Sequence, residues 1–290
     1  MKSIHISAIL CALLLVLACT KKSDDNPEEQ SEPIDKSANL LGTGDSANDI
    51  LSNDKFTKLK IEIAYVEGFK PTQLALDSFI SYLKEHTFKE TIEMVFLELP
   101  SPDEDDLTVQ EIADLEAEHR TVYNDGDTLG IYIYFADAPS EDDEEDAGLV
   151  TLGAVYRNTS MVIHEITVQR LAGRSLLINN ADVEIATINH EFGHLFGLVN
   201  LGTPLVNNHE DVDSANHCNV DGCLMRAELQ FGGSSGKANS LAKKNILKSD
   251  CSLSGKSVIQ ILENNSAKGS QNAVPLDAEC ILDLKANGGR

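Results

Sequence analysis

The stretch Asn180-Ala181-Asp182-Val183-Glu184-Ile185-Ala186-Thr187-Ile188-Asn189-His190-Glu191-Phe192-Gly193-His194-Leu195-Phe196-Gly197 decides how the rest of the chain is read. Asn180 can cap a helix, with Asp182 and Glu184 in its first turn, where acidic groups suit the helix dipole. Val183, Ala186, Phe192, Leu195 and Phe196 supply an apolar side, and Gly197 is placed to end the helix in a left-handed conformation. His190 and His194 are four residues apart, share one helix face and can bind a single zinc ion (Zn2+). Glu191 lies about 100° further round the helix, where its carboxylate can reach a metal-bound water. The pattern carries its own chemistry: zinc acidifies the water and the glutamate takes the proton.

Working back from this helix, Leu59, Ile61, Ile63 and Tyr65 alternate with polar residues and predict a half-buried strand. A helix opening at Pro71 follows, with Leu76, Phe79, Ile80 and Leu83 at helical spacing. Ile92–Leu99 is a second strand. Thr108 and Glu111 form a capping box, with Leu107 and Ile112 placed as a hydrophobic staple, for a helix carrying Ile112, Leu115 and Val122. Gly130–Phe135 is continuously apolar and reads as a central strand. Leu149–Tyr156 and Met161–Val168 read as a hairpin about Arg157-Asn158-Thr159. The order implies an α/β (α+β) fold, a mixed sheet with packed helices. The folded region spans residues 54–290, with an N-terminal part at about 54–198 and a less regular C-terminal part at about 199–290. Two further helical patterns lie near Ala238–Leu247 and Pro275–Leu284.

The 290 residues are 42% hydrophobic, enough for a sizeable core, which excludes whole-chain disorder. Acidic residues number 47 and basic residues 23, and the net charge of −24 repels phosphates, so no nucleic-acid partner is expected. The longest apolar run, Ala8–Cys19, is too short to cross a bilayer. Residues 1–18 have the layout of a secretory signal peptide. Val16-Leu17-Ala18-Cys19 resembles the bacterial lipobox, which implies cleavage before Cys19 and lipidation of its thiol and new amino group. Several acyl chains would give lasting membrane attachment. Residues 19–53 follow as a flexible acidic linker: Thr20–Asn53 holds eight acidic and three basic residues and no aromatics. Lys21-Lys22-Ser23-Asp24-Asp25 resembles the export tag of surface lipoproteins in Bacteroidetes-type bacteria. A monomeric outer-membrane lipoprotein is the expectation, exposed at the cell surface if Lys21–Asp25 is that export tag and not a plain solvated linker, the alternative reading of the run.

The motif at 190–197 resembles that of the metzincins, zinc peptidases carrying HExxHxxGxxH and a Met-turn. His190, Glu191, His194 and Gly197 match, but Asn200 stands where the third histidine is expected. His217-Cys218, four residues, then Cys223-Leu224-Met225 resembles the continuation of the archaemetzincin motif, split here by the inserted segment Leu201–Asn216. The resemblance covers roughly Thr128–Arg226. It implies His190, His194 and His217 as zinc ligands, Glu191 as general base and then acid, Met225 as the hydrophobic floor under the metal, and an extended peptide bound along a sheet edge near the hairpin. His209 is the alternative third ligand, being nearer in sequence and beside Glu210 and Asp211, either of which could orient it. Asn200 is a poor zinc ligand.

Cys218, Cys223, Cys251 and Cys280 remain after the leader and Cys19. An even count in an exported domain suggests disulfides, Cys218–Cys223 and Cys251–Cys280. The resemblance implies a rival, a second structural zinc held by all four thiolates, although the closing CxxC of that family is missing. Glu141–Asp146 is a candidate calcium (Ca2+) loop. His86, His119 and His164 read as structural, Asp213 and Asp221 as loop residues, and Asp211 as a candidate partner to a ligand histidine. Together these features lead to the expectation of a zinc endopeptidase acting on protein or peptide substrates. The alternatives are a non-catalytic surface binding protein on the same scaffold and a zinc hydrolase of a non-peptide substrate; intact Glu191 favours catalysis.

Overall fold

The structure is a computed structural model that describes residues 35–144, 148–227, 253–267 and 274–290. In chain order a short 3-10 turn (Ser37–Asn39) precedes α1 (Ala47–Leu51), β1 (Lys58–Val66), α2 (Gln73–His86), β2 (Thr91–Leu99), α3 (Val109–His119) and β3 (Thr128–Phe135). Then come β4 (Leu149–Val150), β5 (Gly153–Arg157), β6 (Ser160–Ile163), α4 (Glu165–Ala172), α5 (Asn180–Leu195), β7 (Leu253–Ser254), α6 (Gly255–Ala267) and α7 (Ala278–Ala286). Five strands form a mixed sheet in the order β2-β1-β3-β6-β5, all parallel except β5, which runs antiparallel to β6 at the edge. β4 and β7 make a separate antiparallel pair.

The sequence periods explain the layering. Leu59, Ile61 and Ile63 of β1 stand beside Leu129, Ile131 and Ile133 of β3 and face one core with Phe79 of α2 and Phe192 of α5. The intervening Ala64, Tyr132 and Tyr134 face a second core against Ile112 and Ala113 of α3. β3 is buried on both faces, as its unbroken apolar run predicts. The Thr108–Glu111 capping box is formed in both directions.

Several boundaries differ from the sequence reading. The linker expected to run to residue 53 is folded from residue 35 onward. Ile50 and Leu51 are fully buried, so two apolar anchors outweigh the polar composition around them. The buried Asn39 amide donates to Asn124 Oδ1 and the Gly130 carbonyl at 2.9 and 3.0 Å, and Asn158 donates to the Ala38 carbonyl. The cap of α2 is Thr72 rather than Pro71, and that of α5 is Asn179, whose capping box with Asp182 starts the helix at Asn180. Val122 lies beyond the end of α3. The second hairpin strand stops at Ile163, and His164 opens α4 instead of continuing it. α6 was not expected. Cys19 and the pattern at 238–247 lie outside the described residues.

Two carboxylates are enclosed where α4 meets α5. Glu165 and Glu184 are both fully buried; Glu184 Oε2 accepts the Thr72 N–H at 2.9 Å, and Glu165 Oε1 accepts from Gln169 at 3.1 Å. Burial, with the neighbouring Glu184 second, raises the Glu165 carboxyl from 4.5 to about 9. The folded state therefore holds a proton that the unfolded chain releases. Stability from this site is complete below about pH 4.5 and is lost as pH rises toward 9. A Glu165→Gln variant, an amide in place of the neutral acid, should lose less melting temperature between pH 6 and 9 than the parent, a window set by the linkage. Parallel melting curves for the two proteins would contradict this assignment.

Candidate metal centre

Residues 181–195 of α5 are buried except for Asp182, so the helix runs through the interior and its ligand face is shielded from water. Phe192 anchors it edge-on against Phe79, ring centroids 4.9 Å apart. Helical spacing brings His190 and His194 together, with Nε2 of each 3.2 Å from the other. His217 joins them: its ring centroid lies 5.5 Å from that of His190 and 5.0 Å from that of His194, and ligand atoms of the three lie within 4.8 Å of one another.

The hydrogen bonds fix which nitrogens face the centre. His190 Nδ1 donates to the Leu224 carbonyl at 2.7 Å, and His217 Nδ1 donates to the Ala215 carbonyl at 2.9 Å. A carbonyl can only accept, so each Nδ1 carries the proton and each Nε2 keeps its lone pair for a metal. Burial, reinforced by His217, holds His190 down to about 3, and burial with its two neighbours holds His194 well below the usual range. The His190 and His194 imidazoles are therefore neutral, the form that ligates.

Glu191 is buried beside this cluster, and its Oε2 has no hydrogen-bond partner among the described residues. Burial raises its carboxyl to about 8. Edge strand β5 passes directly over it: a Cβ at Gly153 would come within 2.7 Å of Glu191 Cγ, so only glycine allows this approach. Met225 is fully buried on the other side of the helix, and a Cβ at Gly193 would overlap its Sδ. Neither glycine was singled out from the sequence. Gly193 carried a readable signal, because glycine in a helix interior is unfavourable and needs a packing reason.

The other sequence candidates separate. Gly197 takes φ +69° and ends the helix, with its carbonyl accepting from Thr203 N–H at 2.8 Å. Val199 and Asn200 are also left-handed, which turns the chain away from the centre; Asn200 donates to Glu210 Oε2 at 3.3 Å. His217 thus reaches the His190–His194 pair from beyond residues 201–216. His209, the alternative ligand, points elsewhere. Its Nε2 donates to Asp283 Oδ2 at 2.7 Å, and its Nδ1 lies 3.3 Å from Cys218 Sγ. Asp211 accepts from Asp213 N–H rather than from an imidazole, and Asp221 pairs with Arg226. His86 packs on Tyr82, and His164 donates to the Ala138 carbonyl.

The expected Cys218–Cys223 disulfide is not formed. Cys218, Cys223 and Cys280 are all free and buried, and Cys280 Sγ lies 3.6 Å from Cys223 Sγ. A disulfide requires about 2.05 Å. The other expected bridge, Cys251–Cys280, involves Cys251, which lies outside the described residues. In the acidic run Glu141–Asp146, Asp143 accepts the Thr151 N–H. Among the described residues, the groups of His, Cys, Asp and Glu that converge closely enough for a metal do not include this run, so calcium has no support there.

No protein-family model matches the chain, and no curated protein does. Among solved structures it is similar to the crystal structure of an archaemetzincin from Methanopyrus kandleri, with 14% sequence identity and a TM-score of 0.45. The match covers 80% of this chain and 96% of that one.

The Gly193–Met225 contact sets two physical effects in opposition. Helix propensity alone would make Gly193→Ala stabilising by about 1 kcal/mol. Overlap with the Met225 thioether should reverse the sign and cost about 1–3 kcal/mol. Thermal unfolding decides between them; a more stable variant would show that Met225 moves freely. Asn200→Ala should leave bound zinc unchanged while His217→Ala releases it, both read by metal analysis after dialysis. Zinc loss in the Asn200 variant would overturn the ligand assignment.

Proposed function

We propose that the chain is a zinc-dependent hydrolase that cleaves peptide bonds in protein or peptide substrates. The observation that carries this reading is the convergence of three buried imidazoles with a buried, unpartnered glutamate oxygen beside an open sheet edge. Zinc fits the donor set: three histidine nitrogens leave a position open, as catalytic zinc sites do. His190, His194 and His217 would hold it. When bound, zinc supplies Lewis acidity, polarising a carbonyl and lowering the pKa of water.

The chain's own groups do the rest. The Leu224 and Ala215 carbonyls hold two of the imidazoles in the ligating tautomer. Glu191 Oε2 takes the proton of the attacking water and passes it to the leaving amine. Glu191 must be ionised to accept that proton. Burial opposes ionisation, and a cation held by the three histidines favours it. Among the described residues β5 pairs only with β6, so its outer edge offers backbone groups to an extended peptide. A peptide added there passes Gly153, where the strand comes nearest to Glu191. This juxtaposition favours a peptide over a non-peptide substrate. The lipobox-like Val16-Leu17-Ala18-Cys19 supports a lipid-anchored place on a bacterial envelope.

Glu191→Gln should keep bound zinc and the melting profile but cut cleavage of an unstructured protein such as casein by ~10²–10⁴-fold. Zinc loss in this variant, or cleavage near the parent rate, would sink the role given to Glu191. Failure of the zinc-loaded parent to cleave casein or unstructured peptides would remove the peptidase reading.

A further inference from the structure

At the carboxyl ends of β1 and β2 the chain divides. The two strands are parallel neighbours, yet they feed helices on opposite faces of the sheet. α2 places Leu76 and Phe79 in the core shared with α5, and α3 places Ile112 and Ala113 in the core on the other side. Connections that leave in opposite directions open a crevice at the strand ends, the position at which open α/β sheets bind ligands. Here the crevice has a volume of about 430 Å³. That lies within the range of roughly 300–1,000 Å³ found for small-molecule sites. Its walls come from the ends of three strands: Val66, Glu67 and Phe69 at the end of β1, residues 98–101 at the end of β2, and Asp137 just beyond β3.

We propose that this crevice is a ligand site separate from the histidine centre, and that it takes an alkyl chain carrying two or more ammonium groups, such as a linear polyamine. The charge of the lining points to a cation. Glu67, Glu98 and Asp137 supply three carboxylates, and no lysine, arginine or histidine lines the crevice. Among the described residues none of the three carboxylates forms an ion pair. Lys70, next to Phe69 in sequence, instead lays its Nζ over the Phe96 ring, 4.3 Å from the centroid. Asp137 Oδ1 is enclosed and has no hydrogen-bond partner among the described residues. An enclosed carboxylate oxygen without a donor is costly, and a ligand N–H would remove that cost. The remaining walls point to a stem between the charges: Val66, Phe69, Leu99 and Pro100 suit methylene groups, and the Phe69 ring face also suits an ammonium. A single metal ion fits less well. Among the described residues, the sets of carboxylates, imidazoles and thiols whose ligand atoms converge within 4.8 Å do not include these three acids. Acids too far apart to close on one ion can each hold a different end of an extended cation.

Local structure holds the lining in place. Phe69 N–H donates to the Val66 carbonyl at 2.9 Å, closing a turn in which Gly68 takes φ +86°. The Gly68 carbonyl in turn accepts from Gln169 Nε2 of α4 at 3.4 Å, which ties the backbone of Glu67 and Phe69 to the body of the fold. Asp137 sits between two fixed residues: Ala136 N–H donates to the Ile163 carbonyl, and the Ala138 carbonyl accepts from His164 Nδ1, both at 2.9 Å. At the end of β2, Ser101 Oγ accepts the Asp103 N–H at 3.0 Å. The walls are therefore set before a ligand arrives, which lowers the cost of binding. The crevice uses no residue of the histidine centre, so the site stands whether or not the chain is a hydrolase.

Calorimetric titration of the full-length chain with spermidine tests the site. It is run at physiological salt, which screens diffuse attraction to a chain of net charge −24. Binding should saturate at one equivalent and survive an excess of magnesium. Asp137→Asn and Glu67→Gln should each weaken it by ~10-fold or more, the cost of losing a hydrogen bond between charged groups. Glu67 is exposed, so its variant keeps the test open even if Asp137→Asn unfolds the chain. Glu118→Gln removes an exposed acid near the other end of α3 and should change nothing. A trilysine peptide, titrated in parallel, separates two sources of the same chemistry. Tighter binding of spermidine supports the site as one for a free polyamine; tighter binding of the peptide supports it as one for lysine side chains. Absence of saturable binding by either, equal affinity in the parent and all three variants, or displacement by magnesium would overturn the site.

Discussion

The hydrogen bond from His190 Nδ1 to the Leu224 carbonyl, 2.7 Å long and fully enclosed, is the contact on which the centre depends. It joins α5, which runs through the interior, to a loop with no regular structure of its own. In doing so it sets the tautomer of His190, places Met225 beneath Gly193 and fixes how far His217 stands from its partners. The helix is held by ordinary means: a capping box at Asn179, Phe192 against Phe79, and burial along nearly its whole length. The loop has no such support, and it relies on hydrogen bonds between segments and on the sulfur cluster behind it.

Glycines carry much of the close packing. Gly193 lets the helix approach the Met225 thioether, Gly153 lets the edge strand approach Glu191, and Gly197 ends the helix so that the chain can leave in a left-handed turn. Gly193 and Gly153 each lack a side chain where one would collide with a group the site uses, whereas at Gly197 it would meet Ala47 and Thr203. That is a sharper constraint than helix or strand propensity, which disfavours glycine at both interior positions.

Much of the layering was legible because it is written in local periods. Leu59, Ile61 and Ile63 revealed a strand by alternation, Thr108 and Glu111 marked a helix start, and His190 and His194 share a face by helical geometry alone. His217 was legible only through its resemblance to a split motif, since nothing local links residue 217 to residue 194. The linker boundary was misread because composition averages over a window, whereas Ile50 and Leu51 act singly by filling a core that other segments build. The cysteines were misread because their pairing depends on where α7 packs. Cys280 lies far along the chain from Cys223, and no sequence period reports that they meet.

The central claim is that one metal binds among His190, His194 and His217. The most direct measurement is an anomalous difference map, recorded at the zinc absorption edge from crystals of the zinc-loaded chain. The account predicts a peak bonded to the Nε2 atoms of these three histidines, with Glu191 beside it and unbonded. A map with no peak there, or a peak at that site with Asn200 or Glu191 among its ligands, would contradict it.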